Sequence, residues 1–177
     1  MGGLSKCPML FRFGMEMGMK GNFSDLDFFG KGPWENYCDR NSSAMVGHYT
    51  QTVNEQYHYG YVRPQESGNK TELKWFKITN GNGTGLEITS DKKFSASALP
   101  FYRKDMDISL LGRQTHSLEL LAKAHTLDRN NGTTFVNFDL AQMGLGGIDS
   151  WGALPLEKYR LNAAEREFHF ILRPVNN

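Results

Sequence analysis

Leu10-Phe11-Arg12-Phe13-Gly14-Met15-Glu16-Met17-Gly18-Met19 alternates apolar residues with polar or small ones almost without a break. A period of two belongs to a strand, whose successive side chains leave on opposite faces. Phe11, Phe13, Met15, Met17 and Met19 are therefore predicted to share a buried face, with Arg12, Gly14, Glu16 and Gly18 on the other. The period returns along the chain. Phe94, Ala96 and Ala98 alternate with Ser95 and Ser97, Leu118 and Leu120 flank Glu119, Val136, Phe138 and Leu140 interleave with Asn137 and Asp139, and Phe168, Phe170 and Leu172 close the chain. Leu73 and Trp75 lead into a hairpin in which Lys74 to Thr79 and Leu86 to Thr89 flank Asn80-Gly81-Asn82-Gly83-Thr84-Gly85, residues that tolerate the positive φ of a tight turn. One stretch reads as a short helix, Asp105 to Leu111, with Gly112 able to end it, and Asp39 to Met45 reads as a single turn. Everything else reads as antiparallel sheet, so the expected fold is all-β and sandwich-like with one short helix.

With 177 residues the chain is long enough for one domain with a substantial core. Lys and Arg number 20 against 19 Asp and Glu, and the net charge of +1 provides no basic stripe to neutralise phosphates, so no nucleic-acid partner is expected. No apolar run approaches the roughly 20 residues of a membrane span, and no membrane partner is expected. Residues 1–8, opening Met1-Gly2-Gly3, read as an added start or linker before a domain at 9–177. Cys7 and Cys38 have neither the number nor the spacing of a disulfide framework or a metal knuckle, so both are expected as thiols. The histidines His48, His58, His116, His125 and His169 are scattered without ligand spacing, and no metal is expected. Gly81 to Gly85 is no phosphate loop, since no helix or lysine follows it.

Three segments carry more than structure. Met143-Gly144-Leu145-Gly146-Gly147-Ile148-Asp149-Ser150-Trp151-Gly152 ends a glycine-rich loop on one large aromatic ring. Gly32-Pro33-Trp34-Glu35-Asn36-Tyr37-Cys38-Asp39-Arg40 and Tyr61-Val62-Arg63-Pro64-Gln65-Glu66-Ser67-Gly68-Asn69 precede it. In order and spacing they resemble the C-terminal β-sandwich domain (domain 5, the small chain) of β-galactosidases of glycoside hydrolase family 2, and specifically its second half. The resemblance runs from about Leu10 to Pro174 and includes Tyr159-Arg160 and Phe170-Ile171-Leu172. The family loop usually reads Gly-Gly-Asp-Asp-Ser-Trp, and here Ile148 replaces the first acidic residue.

The resemblance implies part of a galactose-mutarotase-like sandwich. It implies that Trp151 reaches from this domain into the catalytic barrel as a sugar-stacking platform, with Asp149 and Ser150 supporting the loop. An indole can lie against the C–H face of a pyranose and is cheap to order; packing beneath the loop is its ordinary alternative role. Glu35, Asp39 and Arg40 invite an acid/base reading, yet Gly-Pro-Trp followed by Asn36-Tyr37 and Asp-Arg also reads as a strand exit fixed by hydrogen bonds and an Asp39–Arg40 charge pair, with Trp34 and Tyr37 as packing. Arg63 and Glu66 are expected to pair in the same scaffolding way. Retaining glycosidases need two carboxyl groups about 5 Å apart. In this family both are glutamates of the barrel, so no catalytic residue is expected here, and the Mg and the Na or K of family enzymes are held mainly by other domains. The implied partners are a β-galactoside in the full enzyme and the barrel itself, with self-association of the isolated chain, in the cytoplasm or, behind a signal peptide, the periplasm. Two other functions remain open. One is a stand-alone carbohydrate-binding module. The other is an aldose epimerase using His58 or His116 with Glu66.

Overall fold

The computed structural model describes residues 9–20, 22–58, 60–61, 66–106, 132–149 and 152–176. Among them seven strands form one antiparallel sheet: β1 (Arg12–Lys20), β2 (Asp25–Gly32), β3 (Met45–Thr52), β4 (Lys70–Thr79), β5 (Gly85–Leu99), β6 (Thr133–Gln142) and β7 (Phe170–Val175). Their order is β1-β6-β5-β4-β2-β3, and β7 pairs with β5. β5 makes this possible by its length of 15 residues. One side pairs with β4; on the other, Gly85–Ser90 pairs with β7 and Ser95–Leu99 with β6.

Period two fixes which face is buried. Leu26 and Phe28 of β2, Phe76 and Ile78 of β4, Ile88, Phe94, Ala96 and Ala98 of β5, and Val136 and Phe138 of β6 form one core, joined by Met17, Met19, Tyr49, Phe168 and Phe170. Burying a side chain such as Phe28 contributes about 1.5–3 kcal/mol over leaving it exposed. A smaller cluster of Tyr57, Leu99, Phe101 and Met106 closes the other face near the end of β5, with the Tyr57 and Phe101 rings edge-on at 5.2 Å. The hairpin between β4 and β5 follows its sequence signal: the Asn80 side chain accepts from the backbone N–H groups of Asn82 and Thr84.

The all-β class read from the sequence holds, with local differences. In β1 only part of the predicted face is buried. Met17 and Met19 reach the core, but Phe11 is 79% and Met15 49% exposed, because β1 lies at the sheet edge beyond the covering side chains. Asn137 and Asp139, the polar partners in the alternation of β6, are buried rather than solvent-facing. In the expected helix Asp105 to Leu111, the described residues Asp105 and Met106 end a 3-10 turn, Arg103–Met106, and residues 107–111 lie outside the described residues. No α-helix occurs among the described residues. Asp39 to Met45 makes a turn closed by Ala44 N–H donating to Asn41, after which β3 begins. The alternation at Leu118 and Leu120, and Cys7 with residues 1–8, also lie outside the described residues.

Candidate functional site

The segment leaving β2 is built on Asn36. Its amide donates to the carbonyls of Lys31 and Trp34 at 3.0 and 2.9 Å, while its Oδ1 accepts from the backbone N–H and hydroxyl of Thr71 at 3.0 and 2.5 Å. Asn69 adds backbone and side-chain bonds to the Asn36 main chain. Asn36 is thus fully buried and fully satisfied, and it ties the β2 exit to the start of β4.

Glu35 gathers the next layer. Its carboxylate accepts from Arg40 at 2.5 Å, from the Tyr61 hydroxyl, and from the Gly68 N–H at 2.8 Å. Arg40 also stacks over the rings of Tyr37 and Tyr61 at 5.2 and 5.6 Å. Burial, then the Glu35 charge, pushes the Tyr37 phenol well above its ordinary pKa; burial and the bond to Glu35 raise Tyr61 as well. The Tyr37 hydroxyl donates to the Glu35 carboxylate as well at 3.4 Å, so with its oxygens committed to four donors Glu35 ties Tyr37, Arg40, Tyr61 and Gly68 together as scaffold. The expected Asp39–Arg40 pair is corrected here, since Arg40 pairs with Glu35.

Asp39 turns instead toward the glycine loop. Its Oδ2 accepts from the Gly146 N–H at 2.8 Å, and its Oδ1 is buried without a donor. Gly144 packs so closely that a Cβ there would lie 2.7 Å from the Asp39 carboxyl carbon, and Gly146 has a φ of +69°, which favours glycine. Farther on, Asp149 Oδ1 accepts from the Ala153 N–H at 3.3 Å, spanning the position of Trp151. Trp151, Ser150 and Arg63 lie outside the described residues. Trp34 is 69% exposed and does not pack with Tyr37 in the interior.

Two buried charges escaped the sequence reading. Arg12 lies between Asp139 at 2.9 Å and Glu66 at 2.7 Å, and Arg103 also reaches Glu66 at 3.3 Å. Glu66 therefore has Arg12 and Arg103 as its described partners. Burial raises the Asp139 carboxyl to about 6 even though Arg12 acts to lower it. Lys70 is 2% exposed, donating to Gln56 Oε1 at 2.7 Å and to the Gly68 carbonyl at 3.2 Å, and burial lowers its ammonium to about 8. The only signal in the sequence was the odd placement of Asp139 within an otherwise apolar and neutral strand.

Among the described residues, no three His, Cys, Asp or Glu side chains converge as metal ligands. No helix among them is long and apolar enough to cross a membrane. Cys38 is a free thiol donating weakly to the Gln142 carbonyl.

The family described as beta galactosidase small chain matches residues 3–172. The β-galactosidase of Priestia megaterium is 34% identical over 169 residues, 95% of this chain and 15% of its own length. That of Streptococcus thermophilus is 29% identical over 175 residues, covering 98% of this chain and 16% of the relative. The β-galactosidase BgaC of Bifidobacterium adolescentis is 32% identical over 159 residues, 88% of this chain and 14% of the relative. The chain thus spans 14 to 16% of the length of these curated relatives. A match over nearly every residue, with the Glu35–Asn36 exit and the Asp39-held glycine loop built as connected structure, places the chain in the β-galactosidase small-chain family.

Proposed function

We propose that this chain is the second half of the C-terminal, galactose-mutarotase-like domain of a family 2 β-galactosidase, completing the sugar pocket with Trp151 and lacking the catalytic glutamates. The observation that carries the reading is the Asp39–Gly146 bond. It anchors the loop leading to Trp151 to the motif at the β2 exit, as a stacking platform requires, since a ring that must wait for its ligand costs less binding energy when its loop is already held. A second bond, from the Ala153 N–H to Asp149, lies beyond it in the chain. The substrate would be a terminal β-galactoside, with the barrel of the same enzyme supplying the acid/base pair.

The test is Trp151→Ala in the intact β-galactosidase that carries this segment. Loss of the stacking face should cost on the order of 1–2 kcal/mol, a factor of roughly 5–30, mainly in KM or acceptor affinity. Unchanged kinetics would show that the ring only packs. For the epimerase alternative, Glu66 is bound by Arg12 and Arg103, while the His58 backbone N–H donates to Ser67 and its ring lies against Tyr61, so no described contact joins His58 to Glu66; His116 lies outside the described residues.

A further inference from the structure

The outer face of the sheet carries a second constellation, unrelated to the glycine loop. Leu26 and Phe28 point into the core, so Asp27 and Phe29, which alternate with them, leave on the opposite face. Phe29 stands across from His48 on β3 and Trp75 on β4, and Asp27 across from Thr50 and Lys77. The next strands continue both rows, with Thr89 beside Trp75 and Glu87 beside Lys77. The side chains interlock. Asp27 accepts from His48 at 2.5 Å and from Lys77 at 3.2 Å, the His48 and Trp75 rings lie 5.4 Å apart at 60°, and the Lys77 ammonium sits 5.2 Å over the Trp75 ring. Trp75 and Phe29 remain partly exposed and His48 largely so.

We infer that this face is a binding site for a neutral pyranose, the terminal ring of an oligosaccharide lying against Trp75. A sugar presents an apolar C–H face and a rim of hydroxyls that both donate and accept. Trp75 supplies the matching ring on the face not taken by Lys77; the Asp27 carboxylate, the His48 imidazole and the Lys77 ammonium supply an acceptor and donors around it. Their mutual bonds hold them in place before a ligand arrives, which reduces the ordering cost of binding. Most of the charge on this face is already paired, Asp27 with Lys77 and Glu87 with Arg173, and the further cation, Lys74, lies 5.4 Å over the Phe29 ring, so a ligand is met by hydrogen-bonding groups more than by a net field. The site uses neither Trp151 nor its loop and stands independently of the catalytic reading.

Lactose titrated into the 177-residue chain, followed by NMR at assigned indole N–H signals, tests this. The Trp75 signal should shift with a Kd on the order of 1 mM. Read at the backbone amides of Phe29 and His48, Trp75→Ala should weaken binding at least about tenfold, and His48→Ala, a change at an exposed position that leaves the core untouched, should weaken it by a few-fold at the Trp75 indole. Trp151→Ala should leave the Trp75 titration unchanged. A Trp75 signal that does not move, or one that moves equally in the His48→Ala chain, overturns the site. Lactose shifts that disappear with Trp151→Ala and survive Trp75→Ala would place the sugar on the glycine loop alone, sinking this proposal while sparing the other.

Discussion

Asn36 makes four side-chain hydrogen bonds from a position that water does not reach. Removing it strands the Thr71 donors and two carbonyls, so Asn36→Ala should lower stability by about 2–4 kcal/mol, read as a lower urea midpoint at constant slope. The buried ions predict two opposite pH dependences. The folded chain keeps its Asp139 proton up to about pH 6, whereas an unfolded chain releases it near 3.8. The folded state binds more protons in between, so stability should fall across that window by an amount on the order of 2–3 kcal/mol. Lys70 runs the other way: folded, it gives up its proton near 8, against 10.5 when unfolded, so stability should rise between those values. Urea midpoints measured against pH check both. Asp139→Asn should flatten the acidic limb and Lys70→Met the alkaline one, and a limb that survives its substitution would assign the slope to another group.

At the scale of elements, the glycine loop is held at few points. In Asp39→Ala the Gly146 N–H loses its acceptor, and its amide should exchange with solvent about tenfold faster while core amides of β4 and β5 keep their protection. Equal rates would mean the loop is held by something other than Asp39. Several strands were legible because each depends on local alternation: β4, the Asn80 hairpin and β5 follow from residues adjacent in sequence. What alternation could not reveal was the second covered face of β6. Asn137 and Asp139 alternate with Val136 and Phe138 as solvent-facing residues would, yet both are buried, Asp139 against a partner, Arg12, that stands 127 positions away. The Glu35–Tyr61–Gly68 bonds were hidden for the same reason. The residue types were visible as motifs, but which carboxylate took which cation was decided by strand order, and so Arg40 went to Glu35 and Asp39 to the loop.

For the whole molecule, the isolated chain should hydrolyse a chromogenic β-galactoside no faster than a nucleophile-dead full-length control, since the carboxyl pair belongs to the barrel in the proposed enzyme. A rate clearly above that control would sink the proposed division of labour. The sheet, among the described residues, ends in β1 on one side and β3 on the other, with Phe11, Met15, Met45 and Val46 exposed along them. Such edges invite pairing, so light scattering should show concentration-dependent association, accompanied by binding of a hydrophobic dye. A compact monomer that binds no dye would mean that these edges are closed within the chain. The long strand β5 has a consequence of a different kind, in time rather than space. The side of Gly85–Ser90 that faces β7 waits for a strand made about 80 residues later. At a synthesis rate of roughly 5–20 residues per second, that leaves a backbone edge unpaired for roughly 4–16 s on every ribosome that makes this chain. The strand that binds the sheet together is therefore also open to a wrong neighbour while the protein is being born.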